Sequence, residues 1–598
     1  MSGFIRYNCS IIGEFRQAVI QEDKAHMINN DTIIKKEKKR INWLYSAAIN
    51  TAVLALILAL TEIVYETNDD FAISQMIYDG YPYVRFVNYF MSRVIIFFQG
   101  FFPGVNMFML VQMAAGFIAF TVLVKIFLDR RDNNIELILA VMLVAYFSLD
   151  HYSSIQFTKT AAILMTAGLI WAADNYTHER SVPVYIAAFI MYYSGVAFRA
   201  RGMFPAIGYA GIYILIWWIF NHEEVFAKDR RKKEFGLIAL ILIILVVPYG
   251  IDMVSDNINA GTPELKYSRE YQNERVWITD YPLMDFEESK EKYDAIGINE
   301  NDIFLIDRWV FDYEGGAALE NIKAINEINR PHVSESMSLV KAVKRTLRDA
   351  FYSIVNRTFS GAHIVIALAL AVYILCANRP RTRWYILMFG AMTVAVYISI
   401  YYMQRPQYRA LYLGEFSAVF WMMYASVTGE KTERPAGLKT GAAILAAAIL
   451  LMIWPAKEML DYRVSYNEGA TESQAVLDYY DEHPDQFFVV TTTTMGMPAS
   501  YRHPLSIPSA PVNASDTGGW DTLTPYKLGC LAKAGVYNPV RELIDDPHMV
   551  FVGDYLVEEL TEYYNKWCCG ENETIDFVKI GEVDGLNLYN VVKVEKQQ

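Results

Sequence analysis

Long apolar segments separated by short polar loops run through most of the chain. Uncharged runs of about 17–22 residues recur, the length an α-helix needs to cross a hydrocarbon core roughly 30 Å thick. The pattern predicts a polytopic α-helical membrane protein with about eleven transmembrane helices. The predicted spans are 43–65, 105–128, 135–149, 158–174, 182–198, 204–220, 236–254, 361–377, 383–402, 408–428 and 437–455.

The charges flanking these spans predict their orientation. A basic cluster, 35–40, ends the polar N-terminal segment 1–42 and places it in the cytoplasm, with the first span acting as an uncleaved signal. Every predicted inner loop then carries cations: Lys125, Arg130 and Arg131; Arg180; Arg230, Arg231, Lys232 and Lys233; Arg379, Arg381 and Arg383; and Lys431, Arg434 and Lys439. The outer side receives 66–104, 255–360 and 456–598. We therefore expect a multi-pass plasma-membrane protein.

The outer segments have patterns of their own. The apolar stretch 86–98 is too short to span and suits a helix lying in the membrane interface, and 339–357 has one apolar and one cationic helical face. The tail 456–598 alternates helix and strand patterns, and Asp584-Gly585 marks a hairpin turn, so we expect an extracytoplasmic α/β domain. Of the five cysteines, Cys530, Cys568 and Cys569 lie in this tail, and both one disulfide and free thiols are open.

Composition narrows the function classes further. The chain has 598 residues, 54% of them hydrophobic, and a formal charge of −13, which argues against a nucleic-acid partner. The sequence contains no GxSxG elbow, HExxH, paired Cys/His spacing or phosphate-binding glycine loop. An activated substrate or a gradient must therefore supply the energy for any reaction.

Two adjacent carboxylates, Asp69 and Asp70, come directly after the first span. A carboxylate pair at a membrane surface can act as a general base or bind a divalent cation. Thr67 with Asp70 also fits a helix capping box, which requires no chemistry. Both interpretations are open from these residues alone.

Cations on the predicted outer side add a second feature. Arg199 and Arg201 follow the fifth span, Arg405 and Arg409 lie between the ninth and tenth, and Lys159 begins the fourth. Cations at membrane depth are costly, and they usually face a partner or a cavity. They either pair with carboxylates such as Asp150, or bind a phosphate, whose oxygens match guanidinium groups. Together with the acidic pair they predict a site.

This pattern resembles the GT-C superfamily of integral membrane glycosyltransferases, which use polyprenyl-phosphate-linked sugars. Asp69 and Asp70 match the acidic position after the first helix, 84–98 matches the interfacial helix, and the region 43–455 matches in architecture. The outer loop is also similar to that of uncharacterised bacterial surface-polysaccharide membrane proteins. The similar stretches are Asp280-Tyr281-Pro282, 296–302, and Trp309 with Asp312.

The resemblance implies a mechanism. Asp69 or Asp70 takes a proton from an acceptor hydroxyl, while Arg199, Arg201, Arg405, Arg409 and Lys159 hold the carrier phosphate, and Tyr281 and Trp309 contact the acceptor. No cofactor is certain; Mg²⁺ or Mn²⁺ on Asp69 and Asp70 is an open alternative. The partners would be the lipid-linked sugar, a glycan acceptor and the bilayer. A polysaccharide polymerase, a transporter or flippase, and a non-catalytic membrane anchor are the competing interpretations.

Overall fold

A computed structural model describes residues 39–61, 63–66, 68–225, 231–377, 381–429, 437–453, 474–491, 505–508 and 510–596, with Glu37 and Ala227. Thr67 of the predicted capping box lies outside these residues. So do most of the N-terminal segment 1–42, several of the inner-loop cations and the start of the tail.

Helices dominate the part of the chain up to residue 453. In chain order they are α1 (Lys39–Leu60), α2 (Asn68–Tyr78), α3 (Tyr89–Phe101), α4 (Met107–Arg130), α5 (Asn134–Ser153), α6 (Phe157–Asp174), α7 (Val182–Phe198), α8 (Met203–Phe220), α9 (His222–Val225), α10 (Arg231–Ile258), α11 (Pro263–Thr279), α12 (Phe286–Ala295), α13 (Glu300–Asp307), α14 (Leu319–Ser336), α15 (Leu339–Val355), α16 (Phe359–Cys376), α17 (Thr382–Tyr402), α18 (Tyr408–Thr428) and α19 (Leu438–Leu451). Two short strands, β1 (Val64–Tyr65) and β2 (Ser154–Ile155), pair in parallel.

Each predicted span coincides with one of these helices: α1, α4 to α8, α10, and α16 to α19. Among the described residues, eight helices are long and apolar enough to cross a membrane. α7 and α19 are apolar but shorter than these eight helices. α6 has 18 residues, and two of them, Lys159 and Asp174, are charged. The chain is therefore a multi-pass helical membrane protein. The count of eleven spans stays a prediction.

α18 is the central helix of the membrane part. Its residues from Leu411 to Val427 are all buried, and it packs against α6, α8, α16 and α17. A helix that is apolar on every side is expected in the interior of a bundle. α6 and α7 pack closely together, and a Cβ on Gly168 would lie only 2.8 Å from the Ala188 carbonyl oxygen. Small residues allow membrane helices this proximity.

A chain of charged side chains is buried near the helix ends that the charge pattern predicts to be on the outer side. Lys159 Nζ lies 2.8 Å from Glu66 and 3.2 Å from Asp150, and the His363 imidazole lies 2.6 Å from Glu415. His363 Nε2 is 3.8 Å from Asp150, which connects the two pairs. Buried charges are tolerated when they are paired in this way. The network joins α5, α6, α16 and α18.

The two predicted interfacial helices are present as α3 and α15. Both expose apolar side chains, including Phe97 and Phe101 on α3, and Leu347 and Phe351 on α15. Unburied apolar faces of this kind suit the membrane interface, and that placement stays a prediction.

The tail forms a small α/β domain. Its elements are α20 (474–482), β3 (Phe487–Val490), β4 (Ala514–Asp516), α21 (Pro525–Lys533), α22 (Pro539–Glu542), β5 (Met549–Val552), α23 (Val557–Trp567), β6 (Glu573–Val583) and β7 (Leu586–Glu595). The sheet order is β4-β3-β5-β7-β6, with the first three strands parallel and β6–β7 an antiparallel hairpin. Asp584 and Gly585 have φ values of 48° and 78°, as a two-residue hairpin turn requires. The predicted α/β character is confirmed, and the described tail cysteines are free thiols.

A buried carboxylate joins this domain to the segment 255–360. Asp312 is 1% exposed and accepts hydrogen bonds from Arg541 Nη2 (2.8 Å), Asn538 Nδ2 (2.8 Å) and Tyr563 Oη (3.0 Å). Nearby, Asp302 accepts from Trp567 Nε1 at 2.8 Å. Because these bonds satisfy buried carboxylates across the boundary, the two regions form one outer unit.

Replacing Asp312 with Ala should destabilise this outer unit, because the Arg541 guanidinium loses its buried carboxylate partner. We expect the melting temperature of the purified protein to fall by about 6 °C. The control is Asp307→Ala, since Asp307 contacts the half-exposed Arg308 at 4.0 Å and should contribute little. Equal melting temperatures for the two variants would contradict this account of the joint.

Candidate functional site

A cavity of about 1180 Å³ lies between the outer helix ends and the outer unit. Its walls come from α2, 81–88, 199–201, α11, 405–409 and 508–533. The topology predicted from the charges puts all of these segments on the outer side. The paired charges of the opposite helix ends, such as Arg130 with Asp174 (2.7 Å), lie elsewhere. The cavity is therefore at one end of the helical bundle.

Asp70 anchors α2 to the bundle. The β1–β2 pairing brings the start of α2 next to the start of α6, where the buried Asp70 Oδ1 accepts the Phe157 N–H at 3.0 Å. Gln112 Nε2 also donates to Asp70 Oδ1, at 3.4 Å. Burial, with the neighbouring Asp69 carboxylate, raises the pKa of Asp70 well above its ordinary value. Asp70 does not line the cavity.

Asp69 faces the cavity instead. Successive residues of an α-helix point about 100° apart, so adjacent aspartates cannot share one environment. The Asp69 side chain is 17% exposed, and its Oδ2 lies 3.4 Å from Arg409 Nη2. Burial raises the pKa of Asp69, while Arg409 and then Arg199 oppose the rise. Asp69 is thus a partly buried carboxylate among cations.

The four arginines predicted for the site all line the cavity: Arg199, Arg201, Arg405 and Arg409. Arg405 pairs with Asp280, whereas Arg199 and Arg201 form no ion pair among the described residues. The Arg199 guanidinium lies over Phe86 at 5.3 Å, and burial together with Arg201 and Arg409 lowers the pKa of Arg199 to about 10. Two neighbouring cations that lack an ion-pair partner in the described part of the chain are suited to binding an anion.

Lys159 does not occupy the phosphate-binding position that was predicted for it. Its side chain is fully buried, paired with Glu66 and Asp150, and it does not line the cavity. Pairing with carboxylates was the alternative to phosphate binding that the sequence left open for Lys159. A lysine satisfied by two carboxylates is not positioned to receive a phosphate in the cavity.

Tyr281 and Trp309 line the cavity and hold its arginines. The Arg405 guanidinium lies 5.7 Å from the Tyr281 ring centroid, and that of Arg275 lies 4.4 Å from Trp309. These cation–π contacts limit the movement of the guanidinium groups. The two rings therefore support the cationic wall directly, and their predicted contact with an acceptor stays a prediction.

The sequence reasoning did not select several cavity residues. Arg275 is 3.8 Å from Asp280, and burial together with Arg275 and Arg201 lowers the pKa of Arg85 to about 10. The sequence did contain a signal that could have identified Arg85, namely a cation beside an apolar stretch of a predicted outer segment. Arg275 lies in a helix rich in charges, so the sequence contained no signal that could have identified it. The contributions of the tail, including Tyr526, depend on how the outer unit docks.

A divalent metal does not fit well beside Asp69. Across the described parts of the chain, no three His, Cys, Asp or Glu side chains converge as metal ligands do. The groups that most affect the charge of Asp69 include Arg409, Arg199 and Arg275, which would repel a cation. We derive no step through a metal.

Comparisons with known proteins give a weak structural likeness. No protein-family model and no curated protein sequence matches the chain. The chain is similar to the crystal structure of ArnT from Cupriavidus metallidurans bound to undecaprenyl phosphate, with 11% identity over 91% of this chain and 97% of that one and a TM-score of 0.45. The apo structure of the same protein gives the same identity and coverage with a TM-score of 0.35. By itself this likeness assigns no activity to the chain.

Substitutions of Asp70 should separate anchoring from chemistry. Asp70→Leu leaves the buried Phe157 N–H without its acceptor, which costs about 1–3 kcal/mol, while Asp70→Asn keeps an oxygen there. We expect a clear loss of thermal stability for the leucine variant and a smaller one for the asparagine variant. Equal melting curves for the two purified variants would count against the anchoring role.

Proposed function

We propose that this protein is a membrane glycosyltransferase that moves a sugar from a polyprenyl-phosphate donor to a cell-surface glycan or lipid-linked acceptor. The observation that carries the proposal is Asp69, a cavity-facing carboxylate, beside Arg199 and Arg201, which form no ion pair among the described residues, at one end of a membrane bundle. This is also the activity that the resemblance to the GT-C superfamily implies. The proposed site faces the outside of the cell, with the N-terminus in the cytoplasm.

The arginines suit the donor phosphate. Arg199 and Arg201 are adjacent to the outer end of α7, where a carrier lipid lying among the helices would present its headgroup. Guanidinium groups bind phosphate oxygens through paired N–H donors. Arg409 reaches the same region and also contacts Asp69. Arg405 is held by Asp280, so we assign it a supporting role.

Asp69 suits the general base. Its carboxylate takes the proton of the acceptor hydroxyl, whose oxygen attacks the anomeric carbon of the donor sugar. The bond between that carbon and the phosphate oxygen breaks, and the bonding pair leaves with the phosphate. The phosphate gains one negative charge, which the arginines stabilise without a general acid. The proton remains on Asp69 until the products leave.

The transporter alternative is less well supported. Intramembrane charges mark transport paths when they continue across the bilayer. Here Asp150, Lys159, His363 and Glu415 all lie within about two turns of the outer helix ends, and they pair with one another. The network is suited to holding helices together. A polysaccharide polymerase differs in its donor, which would be a whole lipid-linked oligosaccharide.

Asp69→Asn should abolish sugar transfer while the protein stays folded. Loss of a general base lowers kcat by about 10²- to 10⁴-fold. The assay is transfer of radiolabelled sugar from a panel of polyprenyl-phosphate sugars by purified protein in lipid, with and without EDTA to test for Mg²⁺ or Mn²⁺.

Asp70→Asn is the matched control, because it removes the adjacent carboxylate without changing the cavity wall. We expect it to retain transfer. Activity that survives Asp69→Asn, or normal surface polysaccharide in cells carrying that variant, would overturn the proposal.

The pH dependence of transfer should respond to Arg409. The rate falls as pH drops through the pKa of Asp69, because the protonated carboxyl cannot act as a base. Arg409 favours the carboxylate and lowers this pKa. Arg409→Gln should therefore raise the pKa and move the acid limb of the kcat profile to higher pH.

Arg269→Gln is the control, since the Arg269 guanidinium pairs with the exposed Asp256 at 3.1 Å. It should leave the acid limb in place. An acid limb that stays in place or moves to lower pH in Arg409→Gln would rule out Asp69 as the titrating base.

A further inference from the structure

The helix α2 runs along the cavity rather than only ending in it. Asp69, Ala72, Gln75, Met76 and Asp79, at its start, along it and just beyond its end, all line the cavity. Residues three and four apart share one face of a helix, so these side chains form one continuous edge. The ten steps of the helix from Asp69 to Asp79 correspond to about 15 Å. That distance is longer than one sugar ring.

The far end of this edge is aromatic. Tyr526, from the tail, donates a hydrogen bond to Asp79 Oδ2 at 2.5 Å, and its ring lies 5.4 Å from that of Tyr81. The Tyr81 and Tyr83 rings are also 5.4 Å apart. All three line the cavity, and we call Tyr81, Tyr83 and Tyr526 the tyrosine patch. Its rings provide apolar faces with hydroxyls at their rims.

Polar groups stand next to the tyrosine patch. Asp516, at the carboxyl end of β4, accepts from Lys527 Nζ at 2.9 Å, and both line the cavity. In open α/β sheets, ligands bind beyond the carboxyl ends of the parallel strands. The Tyr81 hydroxyl is buried and, among the described residues, has no hydrogen-bond partner. Hydrogen-bonding capacity is therefore available at the patch.

The end of the cavity at the tyrosine patch differs in chemistry from the end at Asp69 and the arginines. Lys527 beside the patch is paired with Asp516 at 2.9 Å, whereas Arg199 and Arg201 at the other end form no ion pair among the described residues. Clustered aromatic rings beside a paired carboxylate and ammonium fit a ring with apolar faces and many hydroxyls. A sugar residue has this chemistry.

We propose that the acceptor is a glycan of two or more sugar residues that lies along α2, with its reacting hydroxyl at Asp69 and its next residues on the tyrosine patch. This inference rests on the proposed transferase activity and specifies its acceptor. A single sugar would fill only the Asp69 end. Tyr526, Tyr83 and Lys527 are then acceptor-binding residues supplied from outside the predicted donor site.

The test uses fragments of the cell's own surface polysaccharide, released by mild acid and separated into one-, two-, three- and four-residue fractions. Transfer of radiolabelled sugar to each fraction is measured with purified protein in lipid. We expect kcat/KM to rise about tenfold from one to three residues. Tyr526→Ala and, separately, Tyr83→Ala should remove this length dependence. Tyr537→Ala changes an exposed tyrosine outside the cavity and should keep it.

Equilibrium dialysis of the same fractions, without donor, keeps the inference separate from the proposed reaction. Binding that strengthens with fragment length in the wild-type protein and not in Tyr526→Ala supports the glycan subsite even if no transfer occurs. Equal binding of one- and three-residue fragments, or an unchanged length dependence in both tyrosine variants, would refute it. Absence of transfer with normal length-dependent binding would refute the proposed reaction alone.

Discussion

Arginine side chains crowded into one partly dehydrated cavity are the constraint on which the outer half of the structure depends. Seven of them line it: Arg85, Arg199, Arg201, Arg269, Arg275, Arg405 and Arg409. Cations that lose water require carboxylates, aromatic faces or a bound anion. Asp280 is shared between Arg405 and Arg275, and Trp309 lies under Arg275. Asp69 and Phe86 stabilise part of this charge from the membrane part, and Asp280, Tyr281 and Trp309 stabilise part of it from the outer unit, so the cavity depends on both regions.

The two adjacent aspartates show how one short motif can serve two purposes. Asp70 is enclosed by the starts of α2 and α6 and holds the helix in place. Asp69, one residue earlier, faces the cavity and Arg409. The anchor limits the movement of the helix that carries the proposed base, and precise placement of a catalytic group contributes strongly to rate. The buried carboxyl is thus a positioning group for its neighbour.

The outer unit gives a structural role to acidic residues of the segment 255–360. Asp302 caps α13 and accepts from Trp567, while Asp312 joins the loop to Arg541 and Tyr563. These aspartates are joints between the loop and the tail. Docking of the tail in turn brings Tyr526 and Lys527 to the cavity wall.

The sequence by itself located the apolar and amphipathic helices of this protein, but it predicted none of the helices α11 to α14 in the segment 255–360. Apolar runs predicted each membrane helix, amphipathic stretches predicted α3 and α15, and Asp584-Gly585 predicted the terminal hairpin. It also pointed to Asp69, Asp70 and the four outer arginines as one group, because cations are uncommon in short outer loops and costly at membrane depth. These features are readable because they depend on residues that are close in the chain.

Tertiary structure alone decided which of these residues share an environment. It separated Asp69 from Asp70, enclosed Lys159 between Glu66 and Asp150, and added Arg275 to the site. The contact of Tyr526 with Asp79 joins residues 447 positions apart. No local periodicity encodes such a contact, because it arises from how the helical bundle, the loop and the tail pack to bury apolar surface and pair their charges.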